Sequence, residues 1–293
     1  MFESSIEEIL KFTRPLHSIS RTYGGIVSPG AATLFFVNGK GEAITCKHVA
    51  GLVPSANEIE AKFQAFKSER DKIPKSNQYK KHLAILEKKY QYLKETTVQL
   101  KNNFVNCVDR FETIECFTHP ELDLAIIKFK GFSKILYESN AVFLKDYTGI
   151  KQGKYLCRVG FPFPEFNNFR HNAQNDDIEW TNTGIQASPP FPIDGIVTRF
   201  LGTIENKIGI ELSTPGLKGQ SGGPLFDTSG KIYGMQYGTN HLHLGFDIKN
   251  REIIDEGKKT KVSNFPFLHV GHCLHVGKIK QFLVQHNIEF TEE

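Results

Sequence analysis

The sequence has no uninterrupted run of about eighteen apolar residues, which excludes a membrane-spanning helix. Its first residues, Met1 to Glu8, are acidic and lack the basic and apolar stretches of a secretory signal. The five cysteines form no Cys-x-x-Cys pair and are odd in number, which argues against a disulfide framework. We therefore expect free, mostly buried thiols in a reducing compartment, and hence a cytoplasmic protein.

A strong excess of charge is also missing. The 36 Lys and Arg residues against 32 Asp and Glu give a formal charge of +4, too little to indicate nucleic acid as a partner. With 39% hydrophobic and 23% charged residues, the chain is neither disordered nor membrane-embedded. Its 293 residues suffice for one large β domain or two small lobes.

The predominant pattern is one of short strands. The 25 glycines and 13 prolines are spread along the chain, which favours many turns rather than long helices. The apolar run 31–37 is followed by Asn38-Gly39, the signature of a tight hairpin turn. Residues 160–192, rich in Pro, Asn and aromatics, are predicted to form a long irregular loop. Further strands are predicted at 41–45, 105–117, 122–129, 194–201, 207–212, 231–237, 243–247 and 267–274.

A helical insertion interrupts this pattern between residues 55 and 103. The segment has a single proline and no glycine, and it carries eleven Lys and Arg against six Asp and Glu. A break at Ile73-Pro74-Lys75 separates two apolar stripes, which predicts an antiparallel helical hairpin. The first stripe is Ile59, Phe63 and Phe66, and the second is Tyr79, Leu83, Leu86, Tyr90, Leu93, Thr97, Leu100 and Phe104.

The most informative motif places a serine among glycines, in Gly219-Gln220-Ser221-Gly222-Gly223-Pro224-Leu225. A serine hydroxyl is a poor nucleophile unless a base lies within hydrogen-bond reach and N–H groups face the oxygen of the tetrahedral intermediate. Glycines let consecutive N–H groups point into one concavity and leave room for a substrate carbonyl. On its own, the motif fits an ordinary glycine-rich turn equally well.

Two other segments supply the partners that such a serine needs. His48 follows the second strand of the predicted hairpin and precedes an apparent helical turn. Asp123 stands directly before a buried apolar strand in the segment 119–127. Each context fits a catalytic role independently, and the chain order His, Asp, Ser occurs in one form of the catalytic triad.

With these segments the chain resembles the chymotrypsin-fold, trypsin-like serine peptidases. It is most similar to the stand-alone bacterial trypsin-like peptidases and to the HtrA-type protease domain. The resemblance covers residues 18–286 apart from the helical insertion. The motifs that carry it are the opening and Thr-x-x-His-Val of 24–50, the Asp-Leu-Ala strand of 119–127, the turn 160–162, the strand 195–197 and the loop 212–225.

The resemblance implies an all-β fold of two six-stranded Greek-key β-barrels with an inserted helical hairpin and a C-terminal helix. We expect an N-terminal helical segment, including a short amphipathic helix at 3–12, followed by the barrels. The expected boundaries are 1–17 for that segment, 18–140 for the first barrel with the hairpin at 55–103, 141–275 for the second barrel, and 276–293 for the final helix and tail.

The resemblance further implies a serine endopeptidase that hydrolyses peptide bonds through an acyl-enzyme, with neither a cofactor nor a metal ion. Carried over position by position, it makes His48 the general base, Asp123 the residue that orients this base, and Ser221 the nucleophile. The backbone N–H groups of Gly219 and Ser221 are expected to form the oxyanion hole.

Gln220 departs from the pattern of the secreted enzymes, which have at this position an Asp that pairs with a freshly cut N-terminal amine. The segment 24–27 also differs from the Ile-Val-Gly-Gly that such cleavage exposes. These differences argue against activation by N-terminal clipping. We expect control by loop ordering or by a regulatory protein partner instead.

The residues expected to bind the substrate follow from the same resemblance. Pro215 stands where trypsin-like enzymes have the acid that binds Lys or Arg, which argues against a basic P1 residue. The strand Gln236-Tyr237-Gly238-Thr239 is expected to pair with the substrate backbone. His269 lies on the strand expected behind the pocket, where it could bind an acidic or polar P1 residue or simply be a structural imidazole.

Other functions remain open from the residues alone. The serine motif also fits the nucleophile elbow of an α/β-hydrolase esterase, but Gly222-Gly223-Pro224 is a poor start for the helix which that fold requires. The histidines at 241, 243, 269, 272 and 275 suggest a metal site, but their spacing along a strand puts His269 and His272 on opposite faces. The non-enzyme alternative is a protease-like interaction module that binds a partner through the hairpin 55–103.

Overall fold

Two largely antiparallel β-sheets, one from each half of the chain, make up most of the fold. The computed structural model describes residues 1–255 and 257–293. The helices are α1 (Glu3–Leu10), α2 (Lys47–Ala50), α3 (Leu52–Arg70), α4 (Tyr79–Tyr90) and α5 (Val276–Gln285). The strands are β1 (Thr13–Thr22), β2 (Val27–Phe36), β3 (Glu42–Thr45), β4 (Thr97–Phe104), β5 (Thr113–Thr118), β6 (Ala125–Lys130), β7 (Val142–Phe143), β8 (Tyr155–Gly160), β9 (Phe169–Asn172), β10 (Asp177–Trp180), β11 (Phe191–Gly202), β12 (Lys207–Leu212), β13 (Pro224–Phe226), β14 (Ile232–His243), β15 (Ile248–Asp255), β16 (Lys258–Asn264), β17 (Phe267–His275) and β18 (Thr291–Glu292).

The strand order gives each half of the chain a six-stranded unit. In the first lobe (residues 13–130) the order is β4-β1-β2-β3-β6-β5. In the second lobe (residues 142–292) the order β13-β8-β11-β12-β17-β14 closes into a ring because β13 also pairs with β14, and β7 and β18 extend this sheet. The prediction of a chymotrypsin-like, all-β double barrel with an inserted helical hairpin and a C-terminal helix is confirmed.

A single hydrophobic core runs through both lobes. Strand β2 is buried on both faces from Ala32 to Phe36, since one face packs inside the first lobe and the other meets the second lobe. The rings of Phe35 and Phe143 lie 6.4 Å apart across the junction between the lobes. Each fully buried aromatic or aliphatic side chain of this size stabilises the fold by about 1.5–3 kcal/mol. The core therefore fixes the position of the two lobes relative to each other.

The helical insertion is shorter than predicted. Helices α3 and α4 form the expected hairpin around the break at Pro74, but 97–104 forms strand β4, which pairs antiparallel with β1. The predicted continuation of the helical stripe through Thr97, Leu100 and Phe104 is therefore wrong. Gln91 ends α4 in the left-handed region with φ 58°, and pairing with the edge of the first sheet overrides the helical spacing that follows.

Other predicted boundaries also shift. The expected N-terminal segment 1–17 does contain a helix, α1. Strand β1 begins at Thr13, however, so the first sheet starts about five residues earlier than predicted. The loop predicted at 160–192 contains the β9–β10 hairpin, so the prediction that it is wholly irregular is wrong. This hairpin is ordered by a small hydrophobic cluster of its own, around Phe166 and Ile178, that packs on Ile19 of β1.

The cysteines are free, as predicted, and all but Cys116 are buried. Among the described residues, none of the helices combines the length and apolar character that crossing a membrane requires.

Two buried histidines make the stability of the fold sensitive to pH. Burial lowers the pKa of His17 and of His275 to about 4 each, whereas an unfolded histidine titrates near 6.5. As the pH falls from about 6.5 to about 4, the unfolded chain therefore takes up protons that the folded chain does not. The contribution of each buried neutral imidazole to the free energy of unfolding is therefore fully present above about pH 6.5. It falls by up to about 3 kcal/mol as the pH is lowered to about 4.

We predict that His275→Asn reduces this acid sensitivity. His275 Nδ1 accepts a hydrogen bond from the N–H of Gly277 at the start of α5, and asparagine supplies a similar acceptor without titrating. Urea unfolding at pH 7.5, 6 and 4.5 measures the effect, with the exposed His82→Asn as the control. If His275→Asn loses as much stability on acidification as the wild type and the control do, burial of this imidazole is not the cause.

Candidate active site

The side chains of His48 and Asp123 meet at the base of the first lobe. His48 follows β3 at the start of α2, and Asp123 immediately precedes the buried Leu124 and strand β6. Asp123 Oδ2 lies 2.7 Å from Nδ1 of His48, and Asp123 Oδ1 accepts the backbone N–H of His48 at 3.0 Å. Because a carboxylate only accepts, Nδ1 carries the hydrogen of this bond, which leaves Nε2 as the acceptor in the neutral form of the ring. The pair therefore fixes the orientation of the ring and the tautomer of its neutral form.

The carboxyl of Asp123 remains ionised in this position. Partial burial raises its pKa, but the hydrogen bonds from the ring and the backbone of His48 and from the N–H of Lys47 outweigh burial and leave the pKa below its ordinary value. An ionised carboxylate is what favours a protonated imidazole beside it.

The loop that carries Ser221 is held against β2 of the first lobe. The N–H of Thr33 donates to the carbonyl of Ser221 at 3.0 Å. Gly219 and Gly222 have φ of +99° and +90°, the left-handed region that glycine adopts at least cost. The glycines of the motif are thus required by the backbone path around the serine.

One carbonyl joins this loop to the segment of His48. Gln236 O accepts the N–H of Gly222 at 2.8 Å and the thiol of Cys46 at 3.4 Å. Gly222 follows Ser221, and Cys46 stands two residues before His48. The structure thus brings the three predicted residues to the junction of the lobes, although within the described residues no hydrogen bond joins the hydroxyl of Ser221 to His48.

Two backbone N–H groups of the loop are available to a ligand. Within the part of the chain that the structure describes, the N–H groups of Gly219 and Ser221 have no hydrogen-bond acceptor. Thr33 Oγ1 fixes the peptide between Gly219 and Gln220, which lies between these two N–H groups, because it donates to the carbonyl of Gly219 at 2.8 Å and accepts the N–H of Phe161 at 3.1 Å. Thr33 had no signal in the sequence beyond its place in an apolar strand.

Gln220 anchors the same loop from within. Its side chain is completely buried. Its Oε1 accepts the N–H of Leu217 at 3.0 Å, and its Nε2 donates to the carbonyl of Phe191 at 2.9 Å. The position before Ser221 therefore carries a neutral amide that is hydrogen-bonded to the backbone of Leu217 and Phe191, whereas the secreted enzymes have a carboxylate there.

A cavity of about 450 Å³ opens beside Ser221. Of the predicted substrate-binding residues, Tyr237 alone does not line this cavity: at a bulge between Gln236 and Gly238, its side chain packs against the hydrophobic core. Lys218 and His241 also line the cavity but were not predicted to bind the substrate, although Lys218 lies in the loop 212–225 and His241 is one of the histidines considered as metal ligands. The cavity is lined by Pro215, Gly216, Leu217, Lys218, Ser221, Gln236, Gly238, Thr239, His241 and His269.

The candidate metal ligands do not form a suitable site. The ligand atoms of Cys46, His48 and Asp123 lie within 4.8 Å of one another, but burial raises the pKa of the Cys46 thiol well above its ordinary value, whereas metals bind the thiolate. The prediction that His269 and His272 face opposite sides is confirmed, since His269 contacts His241 and His272 contacts Glu211.

We predict that Gly219→Ala destabilises the protein. A Cβ at this position would lie 2.6 Å from Phe161 O and 2.8 Å from Pro162 Cα, and the positive φ disfavours any side chain. The expected loss is about 1–3 kcal/mol in the free energy of unfolding, measured by urea titration. Gly149→Ala is the control, because a Cβ there meets nothing within 4 Å, and it should change stability by less than about 0.5 kcal/mol. Equal effects of the two substitutions would contradict the close approach at Gly219.

Comparison with known proteins identifies the family. The family model of the trypsin-like peptidase domain matches residues 32–235. The solved structures that resemble the chain include the Rv3671c protease from M. tuberculosis in its active form (12% identity, 98% of this chain and 86% of that chain covered, TM-score 0.49). Another is the HtrA-type protease AlgW with a tripeptide (14% identity, 98% of this chain and 65% of that chain covered, TM-score 0.46). No curated protein matches the sequence significantly. Because the family model spans most of the chain, the protein belongs to the trypsin-like peptidase family.

Proposed function

We propose that the protein is a serine endopeptidase that hydrolyses peptide bonds through an acyl-enzyme on Ser221. The observation that carries the proposal is the bond of 2.7 Å between His48 Nδ1 and Asp123, at the lobe junction where the serine loop carries two N–H groups without acceptors. This combination provides a base, a fixed orientation for it, and donors for a developing negative charge.

In the proposed reaction, Ser221 Oγ attacks the carbonyl carbon of the scissile bond and its proton passes to Nε2 of His48. Asp123 stabilises the imidazolium that forms. The tetrahedral oxygen accepts hydrogen bonds from the N–H groups of Gly219 and Ser221, each worth about 3–4 kcal/mol in comparable sites. When the intermediate collapses, His48 returns the proton to the leaving amine. A water molecule, deprotonated by the same imidazole, then attacks the acyl carbon; the bond from this carbon to Ser221 Oγ breaks, and His48 returns the proton to Ser221 Oγ.

The fold removes the esterase alternative. An α/β-hydrolase requires a helix directly after its nucleophile, whereas Pro224 begins strand β13 only three residues after Ser221. The second alternative is the protease-like module that binds a partner through the hairpin 55–103. It would have the same fold but no turnover, so the reactivity of Ser221 distinguishes it from a peptidase.

We predict that Ser221→Ala abolishes hydrolysis of a peptide library and that a fluorophosphonate probe labels Ser221. His48→Ala should lower turnover about as much, because the members of a triad act as a unit. Mass spectrometry locates the label, and the exposed Ser28→Ala is the matched control, which should keep both turnover and labelling. Turnover that survives in Ser221→Ala, or a wild type that neither cleaves nor becomes labelled, would contradict the proposal.

We further propose that the helical hairpin of α3 and α4 regulates the site by binding a protein partner. The 161–191 segment provides the physical connection. Its first residue contacts Gly219 and its last residue bonds to Gln220 at 2.9 Å. Its middle is tied to α3 by an ion pair of 2.9 Å between Arg70 and Asp176. A partner that displaces α3 would therefore act on both ends of the loop that carries the oxyanion donors.

We predict that Arg70→Ala loosens this connection and lowers the rate of fluorophosphonate labelling of Ser221. Arg170→Ala is the matched control, because it breaks an ion pair of 2.6 Å with Glu179 inside the β9–β10 hairpin without touching α3. The labelling rate is measured at a temperature where both variants are folded by circular dichroism. The connection is refuted if Arg70→Ala and Arg170→Ala both label at the rate of the wild type.

A further inference from the structure

The cavity beside Ser221 is lined in part by basic side chains. Lys218, His241 and His269 line it, and none of its lining residues is a carboxylate. The Nδ1 atoms of His241 and His269 lie 2.5 Å apart, so one ring donates to the other. The ring that accepts this bond carries its hydrogen on Nε2 and donates from there, and the Nε2 of the other ring donates as well when that ring is protonated.

A fully buried arginine lies directly behind the wall of the cavity. Arg158 is on β8 and has no exposed surface. Its Nη2 donates to the carbonyl of Thr214 at 2.8 Å and to the carbonyl of Pro215, which lines the cavity. Gly271 of β17 makes room for the guanidinium, since a Cβ there would lie 2.5 Å from Nη1. The guanidinium therefore occupies the space that a side chain on β17 would otherwise fill.

The charge of Arg158 has no partner in the part of the chain that the structure describes. Its Nε and Nη1 atoms are buried without a hydrogen-bond acceptor, and it forms no ion pair. The neighbouring thiols do not compensate, because burial raises the pKa of Cys157 and of Cys273 to about 11 each. A buried charge without a counter-charge is costly, and a negative charge brought close to it by a ligand would reduce this cost.

The carboxylates closest to the cavity along the chain are already engaged. Glu211 is buried and bonds to Arg199 at 2.6 Å and to His272 at 3.2 Å. Asp247 lies 2.6 Å from His243, which is two residues beyond His241 on β14. Neither carboxylate is therefore free to neutralise the cavity.

We propose that this cavity binds the carboxylate side chain of a substrate residue, glutamate or aspartate, on the N-terminal side of the scissile bond. The inference rests on the proposed function, because it assigns the cavity next to Ser221 to the P1 residue. His241, His269 and Lys218 bind the carboxylate, and Arg158 is a positioning residue whose charge lies beneath the site and whose hydrogen bonds fix the wall at Thr214 and Pro215. The side chains of glutamate and glutamine have nearly the same shape, so a preference for a Glu over a Gln substrate would report binding of the negative charge.

The test compares internally quenched peptides that are identical except for P1, which is Glu, Asp, Gln, Leu or Lys. With the purified full chain, kcat/KM for Glu or Asp should exceed that for Gln by tenfold or more, and Lys should be the poorest substrate. Equal cleavage of the Glu and Gln peptides, or a preference for Leu, would overturn the inference and leave the proposed peptidase function intact.

Substitutions locate the preference in the cavity. His269→Gln and Arg158→Met should each bring the ratio of kcat/KM for Glu over Gln towards one, a change that general loss of structure does not produce. His243→Gln is the matched control, because His243 is on the same strand as His241 but does not line the cavity. If Arg158→Met fails to fold, the exposed His269→Gln decides the question. A ratio in His269→Gln equal to that of the wild type overturns the inference.

A binding measurement separates this inference from the proposed function. Fluorescently labelled peptides with Glu or Gln at P1 are titrated into Ser221→Ala and followed by anisotropy. If the wild type cleaves neither peptide but Ser221→Ala binds the Glu peptide at least tenfold more tightly, the peptidase proposal fails and the assignment of the cavity stands. If Ser221→Ala binds both peptides equally and neither is cleaved, both proposals fail.

Discussion

The carbonyl oxygen of Thr33 packs against the Cα of Gly222, and the position of Ser221, the proposed nucleophile, depends on this contact. A Cβ at Gly222 would overlap both that oxygen and the hydroxyl of Thr45. The close approach allows the N–H of Thr33 to reach the carbonyl of Ser221 and its hydroxyl to reach the carbonyl of Gly219. One residue of the first lobe thereby holds the loop of the second lobe on both sides of the serine.

The loop that carries Ser221 is held in place by neutral polar groups rather than by ion pairs. The loop is anchored by the hydroxyl of Thr33 and the amide of Gln220, both completely buried and both hydrogen-bonded. Buried neutral groups with satisfied hydrogen bonds avoid the desolvation cost of an ion pair. The carboxylate of Asp123 is paired with His48, whereas Arg158 has no counter-charge among the described residues.

The sequence was sufficient for the parts of the site that depend on local backbone requirements. The glycines around Ser221, the hairpin before His48 and the strand after Asp123 are short-range patterns, and the family resemblance that they carry implied the double barrel. Contacts between distant segments were not predictable in this way. Arg158 is the clearest example, because its significance depends on Gly271, more than a hundred residues later, and β8 alone gives no indication of this neighbour. The strand at Thr97 was missed for the same reason, since only pairing with β1 explains it.

The candidate site is assembled from both lobes, so its geometry depends on how the lobes pack together. The first lobe supplies His48, Asp123 and the anchor Thr33, while the second supplies Ser221 and the cavity. Their relative position is fixed by a shared core rather than by a covalent link, since all five cysteines are free. A displacement of one lobe by about 1 Å would leave every local motif intact and still move the proposed base away from the proposed nucleophile, and misplacement on this scale costs enzymes about a hundredfold in rate. Under the proposed function, the inter-lobe core around Phe35 and Phe143 therefore sets the geometry on which catalysis depends, although neither residue lines the cavity beside Ser221.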